Sequence, residues 1–406
     1  LLNHTPWTAR PAHRRWLESQ ADALFAFYEP RSLDPAGGFF VLDDSGRPSA
    51  EPARALHLTA RMAHCAAIGA LLGRPGAEDL LDHAMRALWT RHRDSVHGGY
   101  FLSFDADGPR ERDKLAYGHA FVLLAGASAK VAGHPDADRL IADVSGILDA
   151  RFWEPGPGAY AEEFREDWTP FSLYRGQNAN MHMTEALMAA FEATGEPDYL
   201  RKAESVADLI LRRHAAGASW RVPEHLKSDW TIDDEYVGDD MFRPYGYTPG
   251  HALEWTRLAL QLWALGGKRL GWLKGAAIAL FDLATAQGWD AERGGFYYTL
   301  SYDGAPRVRD RLWWPVCEGI GAAHFLNLNG ETKAEGAYRQ FWNFAARHFI
   351  DADHGGWRHQ LDDELRPIPG YFHGKPDIYH ALQACLIPLY GASGSLTAEI
   401  SAQSVP

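Results

Sequence analysis

The chain has 406 residues, 46% of them apolar and 23% charged, with a formal net charge of −13. That composition is ordinary for a chain that buries a core, and the acidic balance argues against a nucleic-acid or anionic-membrane partner. Residues Leu1 to Arg15 carry no apolar segment of signal-peptide type and no later run reaches the length of a membrane span, so a cytoplasmic location is the expectation.

In chain order, helical periodicity covers 11–29 and 52–72, 76–93 and 113–132, 136–152 and 178–194, 198–215 and 250–265, 270–287 and 315–329, and 332–350 and 376–390. Between the members of each pair a glycine turn runs into an aromatic or β-former. The six turns begin Gly37-Gly38-Phe39, Gly98-Gly99-Tyr100, Gly158-Ala159-Tyr160, Gly217-Ala218-Ser219-Trp220, Gly294-Gly295-Phe296 and Gly355-Gly356-Trp357. Their starts are about 60 residues apart, with one interval of 77. Self-similarity at this period predicts a repeated helix pair.

The leading helices carry charge, as in Glu78-Asp79 and Arg201-Lys202. The second helices are rich in Ala, Gly and Leu, as in Ala120-Phe121-Val122-Leu123-Leu124-Ala125. Helices apolar over much of their circumference need burial on nearly all sides. The fold expected is all-α: an (α/α)6 barrel of two concentric rings, with short β-hairpins at the active-site end. No linker divides the chain, so a single domain over 1–406 is expected, with the barrel proper at about 10–391. The inner helices then run parallel and their N-termini converge on one mouth, where free N–H groups favour negative charge. The extra chain at 222–247 is aromatic and acidic and is read as a lid. Cys65, Cys317 and Cys385 stand in apolar helical stretches and are expected to be buried free thiols.

Polar residues gather where the inner helices begin. Arg54 opens the first; Lys114, Tyr117 and His119 the second; Asn178, Asn180, His182 and Glu185 the third. Arg243, His251 and Glu254 belong to the fourth, Trp314 and Glu318 to the fifth, and Lys375, Asp377 and His380 to the sixth. Repetition at equivalent places suggests a shared ligand rather than chance core polarity. His251 and Glu254 share a helix face, so the carboxylate can fix the imidazole tautomer. Buried capping or a satisfied core network is the structural alternative at each position, and a salt bridge the alternative for Arg54. No His-Glu-x-x-His segment or paired-cysteine spacing points to a metal, although His182, His251 and His380 could be assembled into a metal site. No dinucleotide fingerprint or P-loop points to a cofactor. Asp233-Asp234-Glu235 and Asp239-Asp240 read as solvated loop charge or lid contacts.

Several longer stretches are similar to the N-acylglucosamine 2-epimerase superfamily. They are Arg175-Gly176-Gln177-Asn178-Ala179-Asn180-Met181-His182, Phe242-Arg243-Pro244-Tyr245-Gly246 with Pro249-Gly250-His251-Ala252-Leu253-Glu254-Trp255, Trp313-Trp314-Pro315-Val316-Cys317-Glu318, and Lys375-Pro376-Asp377-Ile378-Tyr379-His380. The resemblance spans roughly 10–391. It implies an (α/α)6 barrel and cofactor-independent proton transfer at C1 and C2 of a free sugar. His251 and His380 match the family's central histidines, Glu254 the glutamate beside the first, Arg54 the arginine of the first inner helix, and His182 the third-helix histidine. The wording resembles most the aldose–ketose isomerases acting on mannose or sulfoquinovose, whereas Ala53-Arg54-Ala55-Leu56-His57 departs from the family pattern.

The expectation is therefore interconversion of D-mannose and D-fructose through a cis-enediol. His251, His380 and Glu254 are the expected catalytic residues; Arg54, Lys114, Tyr117, Asn178, His182, Arg243, Trp314 and Glu318 would bind the sugar, with no cofactor and no metal. Sugar 2-epimerisation is one rival and a sulfonated sugar another, with Arg243 or Lys375 as its extra cation. An inverting glycoside hydrolase built on Glu254, Glu318 or Asp240 is a rival of another class, and a non-catalytic scaffold the bland one. The partner is a small free monosaccharide; the chain would act as a monomer or homodimer.

Overall fold

Burial on all sides is what the alanine-rich helices require, and the computed structural model shows how the chain supplies it. It describes residues 5–51, 53–238, 243–371 and 373–404, with the side chain of residue 404 excepted; Asp239, Asp240 and Phe242 thus lie outside the described residues. The helices are α1 (Pro11–Tyr28), α2 (Leu56–Leu71), α3 (Ala77–Ala87), α4 (Ala116–Val131), α5 (Ala137–Ile147), α6 (Gln177–Thr194), α7 (Pro197–Ala207), α8 (Pro249–Leu265), α9 (Trp272–Leu283), α10 (Trp313–Leu328), α11 (Ala334–Phe344), α12 (Tyr379–Tyr390) and α13 (Leu396–Ser404).

Helices α2, α4, α6, α8, α10 and α12 touch one another in that order, and α12 returns to α2. Each is backed by an outer helix: α3, α5, α7, α9 and α11 pack on α2, α4, α6, α8 and α10, and α1 packs on α12. This is the (α/α)6 toroid. The sequence contrast between the two helix sets has its cause here. In α4 the run from Gly118 to Ala129 is buried without interruption, as befits a helix with neighbours all round. In α3, Leu80, Leu81, Ala84 and Met85 are buried while Glu78, Asp79, Asp82 and Arg86 face solvent. Cys65, Cys317 and Cys385 are buried and unpaired. No helix among the described residues is long and apolar enough to cross a membrane.

Five outer helices end in a π-turn, at Leu88–His92, Leu148–Phe152, Asp208–Ala215, Ala284–Gly288 and Ala345–Phe349. The chain then enters the glycine turn. In the second repeat Asp94 Oδ1 accepts the N–H groups of Val96 and His97 at 2.9 and 3.1 Å. Gly98 and Gly99 follow at φ +78° and +75°. A Cβ on Gly99 would also come within 2.7 Å of the Trp168 ring, so both the backbone angle and the space demand glycine.

A buried cation closes this turn. Lys114 Nζ donates to Asp94 Oδ2 at 2.7 Å and to the Gly98 carbonyl at 2.8 Å. The arrangement recurs. Lys375 Nζ donates to Asp351 Oδ2 at 2.8 Å and to the Gly355 carbonyl at 2.6 Å. Arg311 joins Asp290 at 2.6 Å and the Gly294 carbonyl at 3.2 Å. Arg54 Nε donates to Asp34 Oδ2 at 2.8 Å, and Arg175 Nε to Glu154 Oε2 at 3.2 Å. The cations that open five of the six inner helices, α2, α4, α6, α10 and α12, therefore staple the preceding turn. This corrects the sequence reading of Arg54 and Lys114 as sugar ligands: their regular recurrence comes from the repeat's own turn.

A shorter turn recurs at the hairpin tips, closed by an N–H bonded three residues back at Gly46, Trp168, Trp230, Gly304 and Leu365. All five have positive φ. Where tryptophan stands in place of glycine, its indole is anchored: Trp168 Nε1 donates to the His97 carbonyl at 2.8 Å. Beyond the last inner helix, α13 lies across α2, α4, α6 and α12 and covers the end where the inner helices finish.

Replacing Asp94 with Ala strands the Lys114 ammonium, which is 0% exposed. A loss of about 3–5 kcal/mol is expected in urea denaturation, much of it regained in Asp94→Ala/Lys114→Met, where no unpaired charge remains.

Candidate active site

The first turns of the six inner helices surround a cavity of about 600 Å³, a size suited to a small ligand. His57 and Arg61 come from α2, Tyr117 from α4, Asn178 and His182 from α6, His251 and Glu254 from α8, Trp314 from α10 and His380 from α12. The rim comes from 41–51 and 369–376, including Asp43, Glu51, Tyr371 and His373. No described residue of 222–247 lines it, so the described part of that stretch forms none of its wall.

Trp314 lies against both central histidines. Its ring is 5.1 Å from that of His251, tilted 34°, and 5.9 Å from that of His380, tilted 38°. Two imidazoles more than a hundred residues apart thus share one indole wall. Each is held from behind by its own carboxylate. His251 Nδ1 is 2.9 Å from both oxygens of Glu224, and His380 Nδ1 is 2.9 Å from Glu318 Oε1. Burial pushes both glutamates toward neutrality. It is outweighed at Glu224 by His251 and Gln177, and at Glu318 by Arg257 and His380, so both stay below the ordinary range. An ionised carboxylate only accepts, so each Nδ1 carries a proton, and in the neutral imidazole Nε2 is then the nitrogen with the lone pair.

Glu254 does not orient His251, contrary to the sequence expectation. The i, i+3 spacing puts both side chains on the cavity face, while Nδ1 of His251 points back toward the helix start. There Glu224 also accepts the N–H of Thr248 at 3.1 Å. Glu254 Oε1 instead lies 3.5 Å from His182 Nδ1 and 3.5 Å from Arg257 Nη2. Burial, and then the nearby Glu318 charge, push Glu254 well above the ordinary carboxylate range. Its protonated form is thereby favoured in the cavity wall.

The arginine of the cavity is Arg61, two turns beyond Arg54 on the face that carries His57. Its Nη1 meets Asp377 Oδ2 at 3.0 Å and its Nη2 the Tyr117 hydroxyl at 3.0 Å. Phe121 and Tyr379 rings flank the guanidinium at 4.4 and 4.9 Å. Burial lowers His57 to about 3 and His182 to about 4, which leaves both neutral near pH 7. Asn178 Oδ1 is buried without a hydrogen-bond partner, an acceptor suited to a ligand hydroxyl.

Of the other expected sugar ligands, Arg243 is tied to Glu163 at 2.6 Å over the Tyr174 ring, and Glu318 sits behind His380; neither lines the cavity. Sequence reasoning missed Glu224 and Arg61. Glu224 belongs to the irregular insertion and carries no periodic signal; Arg61 could have been found from its i, i+4 spacing to His57. His182, Glu185 and Glu254 offer ligand atoms within 4.8 Å of one another, the spacing of a metal site. Arg257 already gives two of them a cation, meeting Glu185 at 3.0 Å and Glu254 at 3.5 Å.

The sequence profile described as N-acylglucosamine 2-epimerase matches residues 37–384. A D-mannose isomerase of Thermobifida fusca is 43% identical over 98% of this chain and 99% of its own length. A solved D-mannose isomerase structure superposes with a TM-score of 0.88 at 34% identity, covering 94% of this chain and 99% of that one. The cellobiose 2-epimerase of Spirochaeta thermophila superposes at 0.81 and 26% identity, covering 93% and 95%.

The raised Glu254 makes stability fall as pH climbs above the ordinary carboxylate range, because the unfolded chain releases this proton first. Glu254→Gln removes the dependence. Its stability relative to wild type is expected to improve steadily from pH 5 to pH 8 in denaturant titrations.

Proposed function

The chain belongs to the N-acylglucosamine 2-epimerase family, and from that premise we propose that it interconverts D-mannose and D-fructose by histidine proton transfer without a cofactor. The observation that carries this reading is the pair of carboxylate-held imidazoles against one indole. Similarity over nearly full length to D-mannose isomerases supports the substrate.

The pyranose opens as the O1 proton is passed to the ring oxygen, with His251 as the exchanging group. His380 Nε2 then takes the C2 proton. The C–H electron pair forms the C1=C2 bond and the carbonyl pair moves onto O1, which receives the O2 proton relayed through His251. The charge left on O2 forms the C2 carbonyl, and the C1=C2 pair takes at C1 the proton held by His380, which has exchanged with solvent, giving the ketose. Negative charge on O1 and O2 is met by Arg61, by the convergent helix N-termini and by the protonated form of Glu254 as donor.

A neutral sugar fits better than a sulfonated one, because Arg243 and Lys375 are both taken up by acids. A hydrolase would need two carboxylates flanking a glycosidic bond; here Glu318 lies behind a histidine and does not line the cavity with Glu254. A cytoplasmic setting and a monomeric or dimeric state complete the proposal, the former in keeping with three unpaired thiols.

The test is incubation with mannose in D2O with product analysis by NMR. Fructose carrying deuterium at C1 is the expected product, and glucose would instead mean 2-epimerisation. His380→Ala is expected to lower kcat by a factor of about 10³ or more with an unchanged circular dichroism spectrum; a wild-type rate would overturn the assignment.

A further inference from the structure

Beneath the cavity floor lies a group that does not itself line the cavity yet meets much of the site's charge. The Arg257 side chain is 2% exposed. Nε meets Glu318 Oε2 at 3.1 Å, and Nη1 meets Glu185 Oε1 at 3.0 Å and Gln261 Oε1 at 3.2 Å. Nη2 is 3.5 Å from Glu254 Oε1. Three glutamates from α6, α8 and α10 thus surround one guanidinium. Three buried carboxylates around a single cation cannot all ionise. Burial and the Glu318 charge favour the protonated form of Glu254, while Arg257 favours the ionised forms of Glu318 and of Glu185, which the Tyr379 hydroxyl also binds.

Glu318 is the consequential one, because its other oxygen holds Nδ1 of His380. We infer that Arg257 is a positioning residue: it keeps Glu318 a carboxylate and so keeps Nε2 of His380 free to accept a proton. This rests on the isomerase reading for what that nitrogen does, but not for the tautomer itself. A protonated Glu318 would donate its O–H to Nδ1, the imidazole proton would move to Nε2, and the nitrogen facing the sugar would have no lone pair.

Among the described residues, nothing else nearby replaces Arg257. The charged and titratable groups around Glu318 and His380 are Asp377 and Tyr379 on the α12 side, Arg61 on α2, His182 and Glu185 on α6, Glu254 on α8, and His359 beside α10. Arg61 is engaged by Asp377 and Tyr117. His182 and His359 are held neutral by burial.

The experiment compares Arg257→Met and Arg257→Lys with wild type by steady-state kinetics from pH 6 to 9. ¹⁵N NMR of histidine-labelled protein is run alongside, with His380→Asn assigning the resonance. In the Met variant kcat is expected to fall about tenfold or more at pH 7 with KM nearly unchanged. It should recover as pH rises and Glu318 ionises. The spectrum should show the His380 proton on Nε2 instead of Nδ1. The Lys variant, which restores the charge, should keep the wild-type tautomer and most of kcat. If Arg257→Met does not fold, Arg257→Gln retains polar contacts without charge and must show the same inversion. A folded neutral variant with the wild-type tautomer overturns the inference, whether its activity is intact or lost at every pH. If wild type fails to isomerise mannose while the tautomer still inverts, the proposed function fails and the role of Arg257 stands.

Discussion

A charge placed inside a helical barrel survives only where an opposite charge or a directed hydrogen bond meets it, since the desolvation cost is several kcal/mol per ion. That constraint organises the molecule at two levels. At five of the six glycine turns, pairs such as Lys114–Asp94 and Lys375–Asp351 lock the hairpin to the inner helix that follows it. In the cavity floor the same rule ties Arg61 to Asp377 and Arg257 to Glu185 and Glu318. One carboxylate so stabilised, Glu318, holds His380 in place. Stability and chemistry are therefore coupled through buried ions, and a change in one ion reaches the site without touching its lining.

The toroid was legible because its requirements are repetitive. A helix surrounded by neighbours excludes most charge, one with a solvent face admits it, and left-handed turns select glycine, so the pattern reappears in every repeat but the fourth, where Ser219 and Trp220 take the positive angles. The π-turns escaped notice because one extra residue hardly disturbs a 3.6-residue period. The tips at Trp168, Trp230 and Leu365 escaped because the residue there lacks the turn's usual chemistry. Helix α13 was missed because it lies outside the repeat.

The site was legible where a polar side chain interrupts an otherwise apolar inner face. His251, His380, His182, Asn178, Tyr117 and Trp314 all meet in one cavity. Position at a helix start was a poorer guide. Arg54 and Lys114 stand there as staples, and Arg243 stands near one while bound to Glu163. Spacing along a single helix also misled: Glu254 shares a face with His251, but the residue that holds His251 comes from a loop 27 positions upstream. Partnerships across elements are set by where the chain returns in space, which no local period records.

The central claim is that His251 and His380 act on neighbouring atoms of one bound sugar. A crystal structure with an open-chain hexitol, a stable stand-in for the ring-opened substrate, addresses it most directly. The expected result is a polyol with its C1–C2 end between the two Nε2 atoms, a hydroxyl on Arg61 and another on Asn178 Oδ1. A polyol held at the rim by Asp43 and Glu51, with ordered side chains filling the space between the imidazoles, would contradict the account.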